Sequence, residues 1–119
     1  MARFGALLTK ADAYDPLSLE TGELACQYDL HRKVWREARA LRVSGELLAL
    51  GAHIHCPVLA IHGDYDPHPA EGVRDPLARV LADFRFVLLE RCGHLPWIER
   101  QAREEFYRLL KDALPPVNP

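Results

Sequence analysis

Serine is almost missing from this chain. The only two, Ser18 and Ser44, each precede a stretch with helical patterning, where a hydroxyl serves as a cap rather than as an attacking group. Cysteine is scarce and odd in number. Cys26, Cys56 and Cys92 show no close pairing, so they read as reduced thiols in a cytoplasmic protein rather than as a disulfide framework. No charge of one sign dominates: 15 basic and 17 acidic residues are interleaved to a formal net charge of −2. That balance offers neither a nucleic-acid face nor an anionic-membrane face. Long apolar runs are also lacking. The N-terminal one, Phe4 to Leu8, stops at Thr9 and Lys10, too short for a signal peptide and far too short to span a bilayer. His53, His55, His62 and His68 lie near Cys56, yet no Cys-x-x-Cys or His-Glu-x-x-His spacing appears. No metal and no organic cofactor is expected.

The composition, 49% hydrophobic and 27% charged, is that of a soluble globular chain, and the length of 119 residues favours one domain. Residues 1–18 give weak signals, with Asp15-Pro16 marking a turn. Thr21 is placed to cap a helix whose apolar stripe runs through Leu24, Tyr28, Val34, Trp35, Ala38 and Leu41. Ser44 is placed to cap a short second helix through Leu47, Leu48 and Leu50, ended by Gly51. Residues 1–52 thus read as a helical segment.

From Cys56 the pattern changes. Val58 to Ile61 is a continuous apolar run, as a parallel strand covered on both faces requires, and Pro57 is tolerable at its start. Three prolines make residues 67–76 a loop, and Leu77 to Leu81 a short helix. Phe84 to Leu89 is the second strand. Glu99 to Leu114 is a helix with Ala102, Phe106, Leu109, Leu110 and Ala113 on one side, and residues 115–119 form a tail. The class is therefore α/β. A strand–helix–strand crossover makes the two strands parallel, so both end on one rim of the sheet, where ligands of open α/β sheets bind.

That rim receives Gly63-Asp64-Tyr65-Asp66-Pro67 from the first strand and Cys92-Gly93-His94 from the second. A histidine that works as a general base needs one tautomer and a fixed ring, and a carboxylate bonded to one ring nitrogen supplies both. Asp66 and His94 are the candidate catalytic residues. Asp64 reads as a turn residue bonding local backbone, Cys92 as a packed thiol, and Trp35 and Trp97 as core or pocket wall.

The segments CPVLAIHGDYDPHP at 56–69 and RCGHLPW at 91–97 resemble the C-terminal part of an α/β-hydrolase-fold protein. In that family the triad acid sits in a Gly-x-x-Asp turn, matched by Gly63 and Asp66. The histidine follows the last strand as Gly-His with an aromatic residue soon after, matched by Gly93, His94 and Trp97. The resemblance implies a partial hydrolase-like parallel sheet with flanking helices in residues 53–114, preceded by a helical cap-like segment. It implies an ester-like small-molecule substrate, no cofactor, and an attacking serine, supplied from elsewhere, whose proton His94 takes as general base and returns as acid. The family's G-x-S-x-G elbow and oxyanion loop are absent, so the chain looks like a truncated C-terminal portion, inactive or nearly so alone.

Two other readings compete. Asp64-Tyr65-Asp66 after a strand is similar to the nucleophile turn of haloacid-dehalogenase-like phosphatases, with Asp64 attacking, although His62-Gly63 intervene and Pro67 follows. The other reading is non-catalytic. The open edge of Val58 to His62 would pair with a complementing chain or with a second copy.

Overall fold

The computed structural model describes residues 2–19 and 27–115. Helix α1 spans Ala2–Ala11, α2 Tyr28–Ser44 and α3 Glu46–Ala49, followed by a 3-10 turn at Leu50–His53. Strand β1 spans Val58–Gly63, α4 Ala70–Val80 and β2 Phe84–Leu89; a 3-10 turn at Pro96–Ile98 then leads to α5, Arg103–Ala113. The two strands are parallel, with Val58 opposite Phe84 and Gly63 opposite Leu89. The architecture is a mixed α/β one with a two-stranded sheet among the described residues.

The core lies between the sheet and α5. Leu89, Cys92, Ala102 and Leu109 are buried together, and Ile61, Val87 and Phe106 pack against them. Helix α5 presents Phe106 and Leu109 to this core and its charged residues, such as Glu104, Glu105, Arg108 and Asp112, to solvent. That is the amphipathic division that makes a short helix stable against a sheet. Val58 to Ile61 are only half-buried, so the continuous apolar run of β1 is covered less fully than its composition requires.

Four local expectations need correction. Helix α4 starts at Ala70, inside the stretch read as a loop, and carries Pro76 within it. Ala70, Val73, Leu77 and Val80 recur at helical spacing and are half-buried while Glu71, Arg74 and Arg79 are exposed, a stripe that outweighs the three prolines. Helix α5 begins four residues later than its charge pattern suggests, because Glu99 turns inward. The N-terminal residues, weak in signal, form α1. Gly51 does not end a helix outright: it sits in the 3-10 turn, buried against Val80.

The proposed cap Thr21, the stripe residue Leu24, Cys26 and residues 116–119 of the tail lie outside the described residues. Helix α2 follows Gln27 and has the expected periodicity but no buried residue. Trp35 is 55% exposed, not core. Arg42 lies over its ring at 5.6 Å, a cation–π contact. Ser44 is not the cap of the short helix: it is the last residue of α2 and Gly45 takes the N-cap position of α3, while Ser44 Oγ donates to the Leu41 carbonyl and receives the Glu46 N–H at 3.4 Å.

Candidate functional site

Parallel register sends the chain out of β1 and β2 at the same rim, and backbone contacts then lock the two turns together. Asp64 N–H donates to the Leu89 carbonyl and Tyr65 N–H to the Cys92 carbonyl, each at 2.9 Å. Cys92 N–H donates to Asp64 Oδ1 at 3.0 Å. Asp64 therefore bonds the neighbouring turn across the rim rather than its own, which corrects the local-turn expectation. The fit leaves no room at Gly63: a Cβ there would collide with the carbonyl oxygens of Cys92 and Gly93.

Asp66 closes the first turn with an N–H bond to the Gly63 carbonyl at 3.3 Å. Its side chain is only 7% exposed, and both oxygens are engaged. Oδ2 lies 2.8 Å from His94 Nδ1. Oδ1 receives the His68 backbone N–H at 2.8 Å and lies 2.8 Å from His68 Nδ1. His62 Nε2 is 3.8 Å from Oδ2, too far for a hydrogen bond, while His62 Nδ1 lies 2.8 Å from the Gly63 carbonyl. Burial of Asp66 pushes its carboxyl upward, but the His68 N–H together with the His94 and His68 rings outweighs burial and holds it below the ordinary range.

These contacts decide the ring tautomers. An ionised carboxylate only accepts, so Nδ1 of both His68 and His94 carries the proton and donates to Asp66. In the neutral ring Nε2 is then the lone-pair nitrogen. His94 presents it from a side chain 48% exposed on the rim. The structure thus brings together the two residues singled out in the sequence, Asp66 and His94, within direct bonding distance. It also brings His68 and His62 to the same carboxylate. The sequence suggests no role for either beyond a metal reading near Cys56 that no known ligand spacing supports.

Glu99 was missed altogether. It is fully buried, and its carboxylate accepts three backbone N–H groups. Oε1 takes Tyr14 N–H at 2.8 Å and Gly93 N–H at 2.9 Å, and Oε2 takes Asp15 N–H at 2.7 Å. His94 N–H donates to the Asp12 carbonyl at 2.8 Å, and Leu17 N–H to the Ile98 carbonyl at 2.7 Å. Residues 12–17 thus run beside the histidine-bearing loop and fix its backbone. An acidic residue just ahead of a helix ordinarily signals only a favourable helix dipole, so nothing local pointed to this role.

No hydroxyl or thiol nucleophile accompanies the pair in the contacts described. Ser44 is committed at the end of α2. Cys92 is buried, its Sγ lies 3.4 Å from the Gly93 carbonyl, and burial, with the negative charges of Glu99, Asp64 and Asp66, pushes the thiol up to about 12. Such a thiol is inert at neutral pH. Cys56 is exposed but precedes β1, at the far end of a six-residue strand about 20 Å long. A surface hollow lined by Arg103, Glu104, Tyr107, Arg108 and Lys111 runs along α5 and includes neither Asp66 nor His94. Trp97, 45% exposed, lies 5.9 Å from Phe106 with the ring planes tilted by 50° and is partly a surface residue rather than core.

No family model, characterised protein or solved structure matches the chain. Among the described residues no helix is long and apolar enough to cross a membrane.

Proposed function

We propose that this chain supplies the acid and the base of a triad-type serine hydrolase of the α/β-hydrolase kind, acting on an ester-like small molecule. The observation that carries the reading is the 2.8 Å contact between Asp66 Oδ2 and His94 Nδ1 on the rim where two parallel strands end. Asp66 would hold the His94 ring and stabilise the imidazolium. His94 Nε2 would take the proton of an attacking hydroxyl and return it to the leaving group. In this reading the attacking hydroxyl is not one of the chain's serines, because neither Ser18 nor Ser44 stands on a strand-to-helix elbow. The free thiols of Cys56 and Cys92 fit a cytoplasmic setting.

Rate arithmetic bounds what the pair does alone. General-base action contributes roughly 10²–10⁴-fold, against 10⁶-fold or more for a complete enzyme. The test is hydrolysis of 4-nitrophenyl acetate together with a fluorophosphonate probe. Slow hydrolysis without a burst, lowered at least tenfold by His94→Ala, and no labelling at Ser18 or Ser44, is the expected result. Equal rates in both proteins, or stoichiometric labelling of either serine, contradicts the reading.

A second reading rests on a different observation. β1 pairs only with β2, so its other edge has no strand beside it among the described residues. Strand addition by a second copy of the chain would fill that edge. Sedimentation that changes from monomer to dimer near micromolar concentration favours this reading; a monomer throughout removes it.

A further inference from the structure

Asp66 is held by two imidazoles, and a hydrolase dyad uses only one. His68 Nδ1 and His94 Nδ1 each lie 2.8 Å from a different oxygen of the same carboxylate. The ring centroids are 5.4 Å apart with the planes tilted by 43°. One donor atom from each of the three residues falls within 4.8 Å of the other two. The two rings are open to solvent, at 69% and 48% exposure, above a carboxylate at 7%. A hydrated cation therefore reaches the rings directly and meets the carboxylate beneath them.

Two neutral imidazoles and one carboxylate are the donor set favoured by borderline divalent metals, and two-histidine, one-carboxylate sets occupy one face of a six-coordinate ion. The spacing agrees with that geometry. With metal–nitrogen and metal–oxygen bonds of about 2.1 Å, a tetrahedral ion would hold its donors roughly 3.4 Å apart. Each ring nitrogen lies 2.8 Å from its own carboxylate oxygen; that spacing would subtend roughly 85° at an ion bound to both atoms, close to adjacent corners of an octahedron.

We propose that Asp66, His68 and His94 form a divalent transition-metal site, with Nδ1 of both rings and the Asp66 carboxylate as ligands and the remaining positions open to water. Entry of the metal moves the proton of each ring from Nδ1 to Nε2. The rings change tautomer with no net loss of a proton and no redox step. His62 is left out of the ligand set, because the donor atoms that lie within 4.8 Å of one another are those of Asp66, His68 and His94. The site needs no serine and does not rest on the hydrolase reading.

The test is titration of the chelator-treated chain with Zn²⁺, followed by calorimetry and by nitrogen-15 spectra of the histidine rings. One Zn²⁺ binds per chain, His68→Ala and His94→Ala each weaken binding at least tenfold, and both rings pass from the Nδ1–H to the Nε2–H form. His53→Ala, a substitution at an exposed histidine near Cys56, leaves binding unchanged. His68 is exposed, so His68→Ala keeps the fold, as its circular dichroism shows, and that variant alone decides the matter if His94→Ala fails to fold. No binding at millimolar Zn²⁺, binding indifferent to His68→Ala, binding lost in His53→Ala, or rings that stay in the Nδ1–H form overturns the site.

Discussion

The Glu99 carboxylate holds the Gly93 N–H at 2.9 Å and so anchors the residue immediately before His94. The same oxygen holds Tyr14 N–H, and its twin holds Asp15 N–H, which makes one buried side chain the junction of two segments far apart in sequence. Gly93 is bare for the same reason: a Cβ there would meet the Asp12 carbonyl and Glu99 Oε1.

Glu99→Ala strands three N–H groups, that of Gly93 buried and those of Tyr14 and Asp15 part-buried; a buried one costs about 1–3 kcal/mol and a part-buried one less. The expected loss is about 2–3 kcal/mol, a large share of the roughly 5–15 kcal/mol typical of a domain. Glu99→Gln keeps Oε1 and its two bonds and sets an amide N–H against that of Asp15, so it costs less. Urea unfolding of the three proteins reads this order. A stability unchanged in Glu99→Ala contradicts the junction.

Cys92 gives a pH dependence of definite sign. Its folded thiol is pushed up to about 12 from an ordinary value of 9.0. Below pH 9 both states hold the proton and Cys92 adds no slope. Between about 9 and 12 the unfolded chain releases a proton that the folded chain keeps, so stability falls as pH rises. Other groups titrate in that range, and comparison with Cys92→Ala isolates this one: the wild type loses stability more steeply above pH 9. Parallel slopes contradict it. Thiol alkylation at pH 8 modifies exposed Cys56 and spares buried Cys92 until the chain unfolds.

Much of the rim was legible in the residues. Phe84 to Leu89 is the second strand as expected, and Val58 to Ile61 extends only to Gly63, because short apolar runs between turn signals leave few alternatives. The approach of Asp66 to His94 followed from that pairing, since a parallel crossover leaves both residues on one edge. What escaped the sequence depends on contacts between distant residues. The strap at 12–17 is held by bonds spanning 84 and 85 positions, which no local pattern announces. Helix α4 was hidden by Pro76, and the second imidazole at Asp66 by a turn that brings His68 back on itself. Trp35 misled in the other direction: its spacing is that of a core residue, and the face it sits on is uncovered.

The tautomer of His94 in the metal-free chain tests the central claim most directly. Nitrogen-15 spectra of the histidine rings should show His94 protonated at Nδ1, with Nε2 bearing the lone pair, and Asp66→Asn should shift the ring towards the Nε2–H form. A His94 already in the Nε2–H form, or a mixture that Asp66→Asn leaves untouched, would mean that the carboxylate does not orient this imidazole.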